Sequence, residues 1–295
     1  MTGTALVDDK FGRESSLRWQ SHLLLAIIWL IAVIGLVGTT AAARTPATFK
    51  GLAICAIFGV LVRMLRAATT PAAMTGFLLT GCLYLRTVDQ PNGGWLHTAL
   101  LPGLALFVLA FAATRFRRSQ KEQSGLAESR RGRRGSQIAA NMGAAALAAL
   151  ALPHGWTSPE PALFAPLIAA LAEAAADTVS SEIGQAVGGT PWLLTTRKRV
   201  PPGTDGAVSL AGTISGCLAA AIVVLAAVPS LRLDGRQAAV AWIGAIGGLF
   251  SDTVLGATLE RRGWLNNDMV NFISTAIAAL IAFAWYFPGR PTMLW

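Results

Sequence analysis

Nine predominantly apolar segments constrain this chain more than any other feature: 22–43, 48–66, 71–88, 95–114, 137–152, 160–181, 207–228, 237–258 and 269–287. Several approach the ~20 residues that carry a helix across a bilayer core of roughly 30 Å. The second, third and fifth are short or interrupted by Pro71, Arg86 or Asn141. The expected fold is therefore all-α, a polytopic transmembrane helix bundle of seven to nine spans, nine being preferred. Composition agrees: 13% of residues are charged and 54% hydrophobic, whereas a soluble domain carries about 25% charged residues. Abundant alanine and glycine in the spans suit the close helix approach that lipid favours.

The segments imply an organisation along the chain. Residues 1–21 form an N-terminal segment, 22–114 the N-terminal helices, 115–136 a basic loop, 137–287 the C-terminal helices and 288–295 a tail. Ser119 to Gly135 is rich in Arg, Ser and Gly and reads as a flexible linker or an anionic-lipid contact. The net charge of +9 is concentrated between apolar segments, which points to membrane topology and not to nucleic acid. Arginine and lysine excess places the loop after the fourth segment on the cytoplasmic side. Counting outward, Arg197–Arg199 and Arg261–Arg262 share that side, the N-terminus lies inside and the C-terminus outside. A multi-pass protein of the plasma membrane is expected. Met1 to Gln20 lacks the basic stretch, short apolar stretch and cleavage site of a signal peptide. Cys55, Cys82 and Cys217 lie inside apolar segments without metal-ligand spacing, so free thiols are expected.

Against this apolar background the polar residues stand out, and those that do so most gather at the expected cytoplasmic face. Glu173, Asp177, Ser180/Ser181 and Gly184 fall on one helical stripe, while Glu182 points elsewhere, toward the following loop. Carboxylates in or at the edge of a span are expensive and mark function by default. Two of them one turn apart can share a divalent cation. The bland alternative is a polar helix end paired to Arg197 or Arg199. The next stretch, Thr195-Thr196-Arg197-Lys198-Arg199, runs into the turn Pro201-Pro202-Gly203-Thr204-Asp205-Gly206. Its cations suit phosphate oxygens, and Gly206 before a new span would leave backbone N–H groups open to phosphate. A basic turn that only sets topology is the alternative; no P-loop motif is present.

Asp252, between Ser251 and Gly256, lies inside an apolar segment and needs a partner, a metal or a water-filled cavity. Asn267 and Asp268 suit the cap of the last helix, whereas Asn271 lies one turn in. Gln137 and Asn141 share a helical face after Arg133 and Arg134. His22, His97 and His154 are isolated, so Ser/His/Asp catalysis is not indicated.

These motifs, in order, resemble one family: the integral membrane proteins that include phytyl-phosphate kinase of the vitamin E salvage pathway. The resemblance rests on Ala176-Asp177-Thr178 with Ser181-Glu182-Ile183-Gly184, on Leu193-Leu194-Thr195-Thr196, and on Val200 to Ser209. It continues in Ser251 to Ala257 and Asn266 to Phe272, with weaker matches at Gly93-Gly94-Trp95, Thr114-Arg115-Phe116 and Gln137 with Asn141. It covers roughly 71–287. Asp205 stands where the family usually has Asn, Ala207 where it has Gly, and Met142 where Gly is common.

The resemblance implies an isoprenoid-phosphate kinase. Such an enzyme takes a phytyl or polyprenyl monophosphate and a nucleoside triphosphate, CTP or ATP, to a prenyl diphosphate. Mg²⁺ would be held by Asp177, Glu182 and Asp252, and phosphates by Arg197, Lys198 and Arg199. Thr178, Ser181, Thr195, Thr196, Gly203, Thr204, Asp205, Gly206, Gln137, Asn141, Asn267, Asp268 and Asn271 would bind or orient substrates. Glu173 would close the site on the lipid side. Two alternatives remain open. One is a lipid or isoprenoid-phosphate transporter or flippase, which intramembrane carboxylates suit. The other is an intramembrane prenyltransferase, because Asn267-Asp268 with Asn271 loosely resembles an Asp-rich diphosphate motif.

Overall fold

Every apolar segment becomes a helix. In chain order they are α1 (Arg18–Ala42), α2 (Pro46–Met64), α3 (Thr70–Thr87), α4 (Leu100–Arg115), the short α5 (Arg118–Gln123), α6 (Gly135–Leu150), α7 (Ala165–Val187), α8 (Leu210–Leu231), α9 (Gly235–Leu255) and α10 (Asn267–Tyr286). The computed structural model describes residues 16–42, 44–88, 94–152 and 161–286. The expectations for Met1 to Ser15, Gly93, the His154–Pro159 connection and the tail lie outside the described residues.

Helices α1, α2, α8, α10 and α9 with the turn that extends it are long and apolar enough to cross a membrane. Helix α4 is a shorter apolar helix. Helix α7 runs through the middle of the bundle, packed against α4, α6, α8, α9 and α10. Leu167 to Ala172 are all 0% exposed, so this helix is enclosed by protein and not by lipid. That enclosure is why it tolerates Glu173, Asp177 and Glu182 along its length. Its many alanines let five neighbours come close.

Two seams of glycine hold the centre together. On α8, Gly212 and Gly216 face α7 so closely that a Cβ would lie 2.6 Å from the Ser180 carbonyl and 2.7 Å from that of Ala176. On α9, Gly244 and Gly248 approach α10, where a Cβ would meet the carbonyls of Ala278 at 2.7 Å and Ser274 at 2.8 Å. This small-xxx-small spacing replaces hydrophobic drive with tight van der Waals packing in lipid. Asp252 continues the Gly244–Gly248 stripe one turn on.

The ends depart from expectation for physical reasons. Helix α4 begins late because Trp95–His97 forms a separate 3₁₀ turn. Helix α7 runs to Val187, beyond the expected 181, because Glu182 is paired within the protein. Past α7 the chain forms a small antiparallel sheet, order β2-β1-β3, from β1 (Trp192–Leu193), β2 (Lys198–Arg199) and β3 (Ala207–Val208). Helix α9 ends in a π turn, Gly256–Glu260, a feature that often accompanies functional sites.

Candidate functional site

At one end of the bundle lies a polar cavity of about 720 Å³. It is bounded by the starts of α1, α6 and α10, the ends of α7 and α9, and the segments 126–134 and 202–209. Asp177 from α7 and Asp252 from α9 face it, and Glu173 sits one turn deeper at 1% exposure. The three carboxylates interact electrostatically, and Ser274 of α10 lies within hydrogen-bonding reach of Glu173 and Asp252. Gly248 makes room for the group: a Cβ there would lie 2.6 Å from Glu173 Cγ. Oxygens Glu173 Oε1, Asp252 Oδ2 and Asp268 Oδ1 are buried without a hydrogen-bond partner. A buried carboxylate oxygen in that state calls for a cation or a proton donor from outside the chain. Among the described residues, no group of three His, Cys, Asp or Glu side chains is disposed to hold a metal by itself.

Arg18, Arg133 and Arg134 supply the cationic wall. Arg133 is fixed through its backbone. Its N–H donates to the Ala67 carbonyl at 3.0 Å, and its carbonyl accepts from Thr69 N–H at 3.0 Å. Gly132 (φ +84°) permits this contact, since a Cβ would lie 2.5 Å from the Ala67 and Ala68 backbone. The segment expected to be a flexible linker is thus partly built into the site. Arg130 and Arg118 both donate to Glu122 and hold its carboxyl below the usual range. Lys121, at 1% exposure, donates to Glu182 and to the carbonyls of Ala113 and Thr114.

The structure brings most of the expected residues to this cavity. Gln137, Asn141, Thr178, Ser181, Gly203, Thr204, Asp205, Gly206, Asn267, Asp268 and Asn271 all line it with Asp177, Glu182 and Asp252. Asn271 Nδ2 donates to Asn141 Oδ1 at 3.1 Å, joining α10 to α6. Gln137 Oε1 instead accepts from Arg134 N–H at 2.7 Å and helps start α6.

Other expected residues are engaged or placed differently. Glu182 lines the cavity, but its carboxylate accepts from Lys121. Thr195, Thr196 and Arg197 are exposed in the turn between β1 and β2, Lys198 and Arg199 are exposed on β2, and all five lie outside the cavity lining, with Arg199 stacked on Trp192 at 5.0 Å. Helix α8 is capped by Ser209, whose hydroxyl accepts from Gly212 N–H, so Gly206 does not open a helix N-terminus. Nor do Asn267 and Asp268 cap α10. Asn266 does so, accepting from Met269 N–H at 3.0 Å, while Asp268 accepts from Ser21 at 2.6 Å. Arg133 and Arg134 line the cavity beside Gln137 and Asn141, the residues they precede in sequence, whereas no motif marks Arg18 or Ser274. One arginine looks like another, and a lone serine in a span is unremarkable.

Gly206 has another task. At φ +71° it lies against the π turn, where a Cβ would fall 2.1 Å from Ala257 N. Gly206→Ala is expected to cost about 3 kcal/mol, from left-handed strain plus overpacking against backbone. Gly235→Ala, where a Cβ meets nothing within 4 Å, provides the control. Thermal unfolding in detergent checks both; equal midpoints would refute the contact.

Residues 32–279 match the family described as integral membrane protein DUF92. The chain is 35% identical over 184 residues to Protein VTE6, chloroplastic, of Arabidopsis thaliana, covering 60% of this chain and 55% of that protein. It is 38% identical over 204 residues to an uncharacterized membrane protein of Synechocystis sp., covering 64% and 73%. An uncharacterized membrane protein of Methanocaldococcus jannaschii is 38% identical over 119 residues, covering 40% and 50%. The match to the Arabidopsis protein thus spans little more than half of that relative's length. No solved structure matches the chain. A multi-pass helical bundle with these motifs at one end, matched over most of its length, belongs to the DUF92 family of integral membrane proteins.

Proposed function

We propose that this protein is a membrane-embedded isoprenoid-phosphate kinase. An oxygen of the acceptor monophosphate attacks the terminal phosphorus of a nucleoside triphosphate. The bond to the nucleoside diphosphate breaks, and a prenyl diphosphate is formed. The observation that carries this reading is one cavity in which unpartnered carboxylate oxygens face arginines at the end of a membrane bundle. The family resemblance of the same motifs supplies the substrate class. The cavity lies at one end of the bundle, whereas a transporter site is expected near the midplane. In this reading that end faces the cytoplasm, where nucleotide is available, and the bundle sits in the plasma membrane.

The residues present fit Mg²⁺. That ion takes one or two carboxylates and fills its remaining positions with water and substrate phosphates. Asp177 and Asp252 would hold it, and bound there it would neutralise charge on the transferred phosphoryl group. A phosphate monoester is already anionic and nucleophilic, so positioning and charge neutralisation are the main demands on the chain. Arg133 and Arg134 neutralise phosphate oxygens. Asn141, whose Oδ1 is engaged by Asn271, keeps its amide N–H groups for the acceptor. Thr178, Thr204 and Asn267 line the remainder of the nucleotide space.

Purified protein with Mg²⁺ would be offered phytyl, geranylgeranyl and farnesyl monophosphates with each nucleoside triphosphate, and products read by mass spectrometry. A prenyl diphosphate establishes the reaction and names both substrates; its absence from folded protein with every pair refutes it. The arginines give a sharper comparison. Charged hydrogen bonds contribute about 1.5–3 kcal/mol, so Arg133→Gln is expected to lower kcat/KM by roughly 10- to 100-fold. A variant with Arg197, Lys198 and Arg199 all changed to Gln is expected to stay within about twofold of the parent, since exposed charges contribute little. The reverse order of effects would return the phosphate role to the sheet.

A further inference from the structure

A second, apolar cavity of about 390 Å³ lies between α2, α3 and α4, over α6. It shares Glu128, Ser129, Arg133, Asn141 and Thr178 with the polar cavity, so the two are continuous. Its lining on α4 runs from Leu100 to Arg115, the whole helix, or about 24 Å at 1.5 Å per residue. The two ends differ. Arg66, Arg115, Arg118 and Arg133 gather at the end that meets the polar cavity, and Trp95 lies at the other. Between them the walls are apolar, with Phe58, Phe107 and Ile138 prominent.

Two glycines of this groove have no packing explanation. Gly76 in α3 and Gly103 in α4 each line this groove, and a Cβ at either would meet nothing within 4 Å. Glycine inside a helix is less favourable than alanine, and elsewhere in this bundle helical glycines such as Gly212 and Gly216 permit backbone contact. Here their missing side chains open a channel. Thr114 Oγ1, buried and without a partner, also lines it near the cationic end.

We propose that this groove holds the hydrocarbon tail of the acceptor, with its monophosphate at Arg133 and Asn141, where groove and cavity meet. The identity of the head group rests on the kinase reading; the tail site rests on the groove. A tail leaving the bilayer for an apolar groove gains little from hydrophobic transfer, because lipid is already apolar. The groove therefore acts by shape: it aligns the head group with the carboxylates and, with Trp95 at its far end, limits tail length.

Gly76→Phe and Gly103→Phe test this without touching the polar cavity, because neither glycine lines it and a Cβ at either meets nothing within 4 Å. Both variants are expected to raise KM for geranylgeranyl monophosphate at least tenfold while kcat/KM for dimethylallyl monophosphate, too short to reach them, stays unchanged. A diazirine-tagged geranylgeranyl monophosphate is expected to label peptides spanning 54–62 and 103–111 in the parent and to lose that labelling in both variants. Parental kinetics on the long acceptor, or labelling unchanged in folded variants, overturns the proposal. So does equal labelling by a diazirine phosphatidylcholine, which would make the groove an ordinary bilayer-lipid site. Labelling that behaves as expected without any diphosphate product would leave the tail site standing and refute the kinase reading instead.

Discussion

On the kinase reading, Asp177→Asn and Asp252→Asn are each expected to yield a folded protein whose turnover falls roughly a thousandfold. The size follows from charge stabilisation of several kcal/mol at the transferred phosphoryl, at about 1.4 kcal/mol per tenfold in rate. The substitution keeps shape and volume and removes the charge. Its effect on stability has the opposite sign from its effect on activity. Asp252 Oδ2 is buried without a partner, and Asp177 lies in the same cluster with Glu173. Like charges gathered away from water destabilise the ligand-free fold, so both variants are expected to melt at or above the parental temperature. A carboxylate retained only to join helices would show the reverse pattern, loss of stability with activity kept. Mg²⁺ with nucleotide should raise the midpoint of the parent by mass action and leave that of Asp177→Asn unmoved. Near-parental turnover in both variants would refute the assignment.

The bundle was legible in the sequence because its cause is local. Apolar runs near bilayer length admit few structures other than helices, and each of the expected segments is helical over most of its length. The gathering of Asp177, Asp252, Asn141 and Asn271 was legible for a related reason. Helical period and alternating span direction together fix which polar residues reach one end of a bundle. What could not be read is how loop segments are tied down. Arg133 and Lys198 are both cations within Arg-rich connecting segments. Only long-range backbone bonds to Ala67 and Thr69 bring the first into the cavity, and only pairing with β1 holds the second outside. Neither kind of bond leaves a periodic trace. The same holds for caps: Asn266, Asn267 and Asp268 are equally good cap residues by type, and Asn266 was selected by where α1 lies. Gln20 accepts from its N–H, and Ser21 takes a bond from its amide.

Glu182 is where sequence and structure differ most, and it gives the second large effect. Lys121 has each ammonium proton engaged, by Glu182 and by the carbonyls of Ala113 and Thr114 at the end of α4. It thereby joins the basic loop to α7 and donates to carbonyls in the last turn of α4, where a cation is favoured. Removing one partner of a buried pair strands the other charge at a cost of about 3–5 kcal/mol. Glu182→Gln and Lys121→Met are therefore each expected to lower the unfolding midpoint sharply. The double variant Lys121→Met/Glu182→Leu is expected to recover most of that loss, though not all, because the bonds from Lys121 to the last turn of α4 are still missing. Activity separates the two roles where stability alone would not. If Glu182 holds the loop in place, the double variant regains stability and turnover together, as Arg133 returns to its position. If it serves as a metal ligand, the same variant is stable and inactive, and an assay of the double variant beside Asp177→Asn distinguishes them.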